Sequence, residues 1–526
     1  MNKTAIKNFA ILARNKLIAD IQYKAGLMGI TEKGIANALP QSTRDTEFYD
    51  IGTSEPYTIS GKEIEQRRRL KEVIENKASD IDYATAYKYV IEEVAYTWFN
   101  RLIAVRFMEV NDYLPGHIRV LSSETGKMEP DLVTTPFDAD LEFTGSEEEQ
   151  IIQLKQDNKI DELFRMLFIK QCNALNELLP ALFEKTNDYT EILLNLSVIN
   201  QEGVVYHLVH DISEEDFDVN RGGQVEIIGW LYQFYNTEPK QEVDAKVKKG
   251  IKVIREDIPA KTQIFTPDWV VRYMVENSLG RIWQERHPSE DLLKNWKYYM
   301  QSAEQDANVK KIVESEAASF ADLHPENLKC IDPCMGSGHI LVYMFDILMQ
   351  IYEVCGYTTR EAVTSIIENN IYGLDIDERA AQLAYFSVMM KARQYDRRFF
   401  SRGVQPHVYA IVESNHVDKY AVEYFCNNDN ELITAINDII SEMKDAKDYG
   451  SLTHVSTQKW TILYDRFSEI LDEICLYKVV TISSNGLNFE RSLGRNNLYS
   501  GKAFLLKCRT VVPFTYPKQC ALNFLS

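Results

Sequence analysis

The stretch Ile331-Asp332-Pro333-Cys334-Met335-Gly336-Ser337-Gly338-His339-Ile340-Leu341 constrains this chain more than any other. A short apolar approach through Leu328, Cys330 and Ile331 reads as a strand that ends in an acid and a proline. Two glycines spaced one apart then open a long apolar helix. Glycine is needed where the backbone takes a positive φ or must let a ligand approach with no Cβ in the way. A strand, a tight glycine turn and a helix N-terminus together present free backbone amides to a ligand. Alone, a Gly-x-Gly pair reads equally well as a turn that binds nothing.

The context favours the binding reading. Two helices later comes Ile371-Tyr372-Gly373-Leu374-Asp375-Ile376-Asp377, a second short strand ending in an acid. In doubly wound sheets an acid at that place takes the ribose hydroxyls of a nucleoside. The turn departs from the G-x-G-x-x-G pyrophosphate fingerprint, because Asp-Pro precedes it and no third glycine follows. A nucleoside without a pyrophosphate is expected, and S-adenosylmethionine (AdoMet) fits better than NAD.

At 526 residues the chain is long enough for two or more domains. A net charge of −20 argues against a uniform coating of nucleic acid, yet leaves room for a local basic cleft. Eight scattered cysteines without a Cys-x-x-Cys suggest neither a disulfide framework nor a zinc ribbon, and reduced thiols in the cytoplasm are expected. Lys3, Lys7, Arg14 and Lys16 interrupt every apolar run of a signal peptide. The apolar run Ile340 to Tyr352 is too short to span a bilayer, so no membrane association is expected. His207 and His210 are the one close histidine pair and read as structural, so no metal site is assigned.

Residues 1–40 form a basic amphipathic opening, either a helix docked on the core or an arm touching a phosphate backbone. From 60 to 240 the period is mostly helical, most plainly from Tyr83 to Val110. Residues 118–148, with Gly126, Pro130, Pro136 and the acidic run Glu147-Glu148-Glu149, read as a loop. The aromatic run Glu226 to Tyr235 reads as a packing face rather than a platform for unpaired bases. Lys240 to Lys252 reads as a charged linker. In Gln263-Ile264-Phe265-Thr266-Pro267-Asp268-Trp269 a helix begins, with Thr266 as cap, and runs through Val270, Val271, Met274, Leu279 and Ile282. A helix from Glu378 to Gln394 ends in Lys391, Arg393, Arg397, Arg398 and Arg402, the best candidate for phosphate contact beside the glycine turn. Val408 to Val412 reads as a third strand.

These motifs resemble the amino-methyltransferases of the AdoMet-dependent DNA class. Gln263-Ile264-Phe265-Thr266-Pro267 is similar to the motif that precedes the glycine turn in the γ-type order and packs on the methionine part of the cofactor. Asp332-Pro333-Cys334-Met335-Gly336-Ser337-Gly338 matches the cofactor loop, and Asp375 the ribose-holding acid. Trp98-Phe99-Asn100-Arg101-Leu102 and Gly229-Trp230-Leu231-Tyr232-Gln233 resemble the large adenine-specific methyltransferase of BREX (bacteriophage exclusion) systems. The likeness covers residues 1–478. It implies Thr266, Pro267, Asp332, Pro333, Cys334, Gly336, Gly338 and Asp375 as cofactor-binding residues. It also implies methylation of adenine N6 in a short sequence of double-stranded DNA, marking host DNA, with other phage-defence proteins as partners.

The sequence departs from that family in one respect. All 15 prolines are isolated, so the Asn-Pro-Pro-Tyr that clamps the flipped base is absent, and no catalytic residue is assigned. Lys478-Val479-Val480-Thr481-Ile482, leading to Asn485, is the nearest imitation. The chain is therefore expected to lack the catalytic clamp and the DNA reader that follows it. From Arg491 to Ser526 there are six Lys or Arg and no acid, which reads as a segment foreign to the fold, such as a shifted reading frame. The alternative is a non-catalytic AdoMet-binding or scaffold subunit of a phage-defence complex. A fused nuclease would have to rest on Glu75-Asn76-Lys77 or Glu238-Pro239-Lys240.

The expected fold class is α/β, with a mostly helical N-terminal domain followed by an incomplete Rossmann-like AdoMet-dependent methyltransferase domain. The boundaries are 1–255 for the helical domain, 256–418 for the AdoMet-binding domain, 419–478 for a helical segment and 479–526 for the atypical basic tail. Strands are expected near 328–332, 371–375 and 408–412.

Overall fold

The computed structural model describes residues 1–79, 81–184, 189–254, 257–318, 323–415, 417, 419–456 and 459–470. Residues 471–478 of the expected helical segment, the stretch Lys478 to Asn485 and the basic tail 479–526 lie outside them. Among the described residues no helix is long and apolar enough to cross a membrane.

The architecture is mostly helical with one small parallel sheet. The N-terminal part is built on the helix Tyr83–Val110, whose start is fixed by Asp82 accepting from the Thr85 amide. From Val94 to Glu109 that helix is buried nearly all round, as expected of a helix at the centre of a larger core. The opening helix Lys3–Leu27 and the aromatic helix Glu226–Tyr235 pack on each other, and the opening helix also lies against Tyr83–Val110. Phe9 and Phe99 stack at 6.4 Å, and Phe99 meets Tyr235 at 4.5 Å. The docked-helix reading of residues 1–40 therefore holds over the basic-arm reading. Arg14 is buried and paired with Glu92 at 2.6 Å, and Lys24 donates to the Tyr57 hydroxyl. The packing reading of the 226–235 aromatics holds as well.

Three parallel strands, Cys330–Asp332, Ile371–Asp375 and His407–Ala410, pair in sequence order, with Asp332 opposite Gly373 and Asp375 opposite Ala410. All three lie where the sequence put them, within a residue or two. The helices His339–Val354 and Glu378–Tyr395 pack on the strands. One continuous apolar core runs from Ile6 to Val408, so the helical part and the sheet share an interior. A smaller core, around Phe425, Ile436 and Phe467, gathers the helices Lys419–Cys426 and Asn430–Glu442 with residues 460–470.

Several local expectations are corrected. Within the expected loop 118–148 the helix Gly145–Gln156 begins, closed by a capping box in which the Thr144 side chain and Glu147 satisfy each other's backbone amides. The acidic run is thus a helix start, where the dipole favours it. The charged stretch from Lys240 is helical over Thr237–Lys248, and Pro239 is tolerated because it falls in the first turn. Thr266 is not the cap of the next helix: Pro267 is, and Asp268–Glu276 follows. The expected continuous run to Ile282 breaks at Asn277 and Ser278, whose side chains take the carbonyls of Tyr273 and Met274 and compete with the ladder. The basic cluster at the end of Glu378–Tyr395 is not beside the glycine turn. Gly338 packs on Ala384 in mid-helix, so Lys391 and Arg393 lie about 10–14 Å further along the axis, and the arginines past Tyr395 follow the end of the helix. Lys391 is spent on Asp346, Arg402 on Asp396, and Arg393 lies over the Tyr113 ring.

A buried seam joins the two parts. Arg379 Nε donates to Asp377 Oδ1 at 2.9 Å, the Tyr232 hydroxyl donates to Asp377 Oδ2 at 3.1 Å, and the Arg379 guanidinium lies 4.9 Å from the Tyr96 ring centre. Burial pushes the Asp377 carboxyl up, but the Arg379 charge and these hydrogen bonds win and hold it below the usual range. Arg379→Met should therefore destabilise the fold by roughly 2–4 kcal/mol, because it leaves a buried carboxylate unpaired. Tyr232→Phe should cost about 1–3 kcal/mol. Urea denaturation of both variants checks the order.

Candidate functional site

The carboxyl ends of the first two strands and the N-terminus of His339–Val354 meet at one point. The Gly336 amide donates to Asp375 Oδ2 at 2.8 Å, and the Met335 amide donates to the Leu374 carbonyl at 3.0 Å. The glycine turn is thereby strapped to the end of the neighbouring strand. Gly336 has φ 54° with open space where a Cβ would be. Gly338 caps the helix at φ 84°, and a Cβ there would meet Ala384 at 3.0 Å. Both positions need glycine, the first for its conformation and the second also for close packing.

Two acids face this turn in different states. Asp375 accepts from Gly336 and, at Oδ1, from the Asp377 amide at 2.8 Å. Burial nevertheless dominates and pushes its carboxyl up to about 6. Asp332 is buried and accepts from the Cys334 amide through Oδ1, while its Oδ2 has no hydrogen-bond partner among the described residues. Burial raises this carboxyl too. A buried acceptor left open calls for a donor from outside the described chain. Pro333 and Cys334 are exposed at the mouth of the turn.

Thr266 and Pro267 join the group through His339. The His339 Nδ1–H donates to the Thr266 carbonyl at 3.1 Å, which ties the 263–268 segment to the first residue of the helix. Phe265 lies flat on the His339 ring, 4.6 Å between centroids and 5° between planes, and touches Trp230 at 4.4 Å. Its edge fills the place of a missing side chain at Gly229, where a Cβ would come within 2.2 Å of Phe265 Cε2. The eight residues singled out in the sequence therefore gather around one turn. Glu226, Gly229, Ser337 and His339 line a small cavity with Phe265 next to this turn, and none of the four was singled out as a site residue. Glu226 and Gly229 lie about a hundred residues upstream on the helical part, and no spacing rule connects them to the glycine turn. The two fragments suggested for a nuclease do not converge: Lys77 pairs with Glu93 and Glu238 with Arg14.

A parallel sheet whose strand ends carry a glycine turn, a helix N-terminus and two acids is the arrangement of an α/β ligand site at the carboxyl edge. No protein-family model matches the chain. Among curated proteins, the chain is 43% identical over 514 residues to Adenine-specific methyltransferase PglX of Lacticaseibacillus casei (strain Zhang), covering 94% of this chain and 40% of that protein. It is 39% identical over 416 residues to Adenine-specific methyltransferase BrxX of Escherichia coli O9:H4 (strain HS), covering 79% of this chain and 33% of that one. A putative type II restriction enzyme and methyltransferase of Methanocaldococcus jannaschii matches at 25% identity over 54% of the chain. The resemblance read from the motifs is borne out: the chain has close relatives named adenine-specific methyltransferases, and it spans well under half their length.

The raised Asp375 carboxyl gives a pH signature. Its folded value of about 6 lies above the unfolded one, so ionisation works against the fold. Stability should fall as pH rises from about 4 to about 6 and then level off, with a contribution on the order of 3 kcal/mol. Urea midpoints from pH 4 to 8, compared between wild type and Asp375→Asn, should show a smaller falling limb in the variant, where the raised Asp332 carboxyl still contributes.

Proposed function

We propose that the chain is the cofactor-holding portion of an AdoMet-dependent, adenine-specific DNA methyltransferase of a phage-defence system, working in the cytoplasm on double-stranded DNA. The three strands would be the first three of a Rossmann-like sheet. The observation that carries the reading is the pairing of an open buried acceptor, Asp332 Oδ2, with the bare backbone of Gly336 and the Asp375 carboxylate on the next strand. These groups fit AdoMet, whose ammonium, ribose hydroxyls and sulfonium offer donors and positive charge but no pyrophosphate.

In this reading Asp375 accepts from the ribose hydroxyls and Asp332 from the amino end. Gly336 and Gly338 allow the backbone to lie against the ligand, with Pro333 and Cys334 at the rim. Thr266 and Pro267, held by His339, flank the methionine part. Bound AdoMet supplies an activated methyl group on a sulfonium. Transfer further requires adenine to leave the duplex stack and N6 to be held in line with that carbon. The Asn-Pro-Pro-aromatic clamp for that task is absent from this sequence, since no two of its prolines are adjacent. The relatives are more than twice as long, which supports reading this chain as the part that positions the donor.

Isothermal titration with AdoMet is the test. Wild type should bind one equivalent, and Asp375→Ala and Gly336→Ala should each weaken binding roughly tenfold or more, as loss of charge-assisted hydrogen bonds or of the turn conformation implies. Unchanged affinity in both variants would overturn the assignment. The chain alone should bind AdoMet without producing N6-methyladenine in phage or host DNA, as read by mass spectrometry of digested nucleosides.

A further inference from the structure

Beside the glycine turn, three side chains from three separate segments converge. Glu226 opens the aromatic helix, Asp268 opens the Asp268–Glu276 helix, and His339 opens the helix after the glycine turn. Their ligand atoms all lie within 4.8 Å of one another. Acidic groups near one another are common without a ligand, so the histidine decides the matter. Its side chain is only 8% exposed, and Nε2 points toward Glu226 Oε1 at 3.2 Å yet makes no hydrogen bond among the described residues.

The other ring nitrogen explains why Nε2 is available. A carbonyl can only accept, so Nδ1 carries the proton it gives to Thr266, and in the neutral ring Nε2 keeps its lone pair. A histidine that donates one ring N–H to a backbone carbonyl while its other nitrogen faces carboxylates has the outer-shell arrangement of a metal-bound imidazole. Phe265, flat on the ring, fixes its plane and keeps solvent from that face. Arg272 Nε donates to Asp268 Oδ2 at 2.8 Å, which orients that carboxylate. Glu226 Oε1 lies 3.2 Å from Nε2 and Asp268 is ion-paired to Arg272, so the three ligand atoms face one small space whose acids are only partly balanced by Arg272.

We infer that Glu226, Asp268 and His339 form a binding site for a divalent first-row transition cation. One imidazole nitrogen and two carboxylate oxygens suit zinc, manganese or ferrous iron better than the oxygen-only preference of calcium or magnesium. A cation held at about 2.1 Å from each ligand needs only small side-chain adjustments from the present spacing. Its structural effect would be to fasten the aromatic helix, the 263–268 segment and the glycine-turn helix at one point. The site uses none of the atoms assigned to AdoMet, so it stands whether or not that assignment does.

The test uses the full chain, stripped of metal by dialysis against a chelator, and titrated with Co2+ and with Zn2+. Wild type should take up one equivalent, develop visible Co2+ absorption bands and melt at higher temperature when loaded. Glu226→Gln, Asp268→Asn and His339→Gln should each weaken metal affinity roughly tenfold or more, with the unloaded melting temperature of each reported alongside. Equal affinity in wild type and variants, which would point to thiols such as Cys334 or Cys355, overturns the inference, as does failure of the wild type to bind. Should a variant not fold, the anomalous difference peak in Zn2+-loaded wild-type crystals decides: at the three ligands it supports the site, and elsewhere it sinks it.

Discussion

The hydrogen bond from the Gly336 amide to the Asp375 carboxylate is the contact on which the rest of the molecule depends. It joins the loop after the first strand to the end of the second. With the neighbouring Met335 to Leu374 bond it sets the direction in which the helix His339–Val354 leaves the sheet. A left-handed glycine is required to turn the amide toward the acid, and burial of the acid follows from that closure. The orientation of His339, and through it of the 263–268 segment, is inherited from the same turn.

The second strand ends in two acids with divided duties. Asp375 faces the turn, while Asp377, two residues on, faces the helical part and is held by Arg379 and Tyr232. The site and the joint between the two halves are therefore set by one short peptide. Gly229 sits on the same aromatic helix as Tyr232 and admits Phe265 against the His339 ring. The helical part thus acts as more than a neighbour: one of its helices makes room for Phe265 beside His339 and holds Asp377 at the end of the second strand.

Much of this was legible in the sequence because it is local. Strand–turn–helix chemistry around Gly336 and Gly338, the second acid at Asp375 and the long period of Tyr83–Val110 are each contained in a short window, and each appears as read. The misses share a different cause. Composition made Lys240 onward look like a linker, although a proline in a first turn does not oppose a helix. The capping pair Thr144 and Glu147 was present as a pattern, yet nearby prolines and glycines outweighed it. The arginines after Gln394 looked close to the turn in sequence, but a rigid helix sends them to its far end. Glu226, Asp268 and His339 could not be associated at all, since only the packing of distant segments brings them together.

The shared interior has a practical consequence for anyone dissecting the chain. Severing it near residue 255, where the composition suggests a natural seam between modules, would strip Tyr96 from Arg379 and Tyr232 from Asp377 and open the continuous apolar interior to water. Neither fragment would inherit a finished surface. The sheet half in particular would present a charged pair, built to be covered, to its own neighbours in solution.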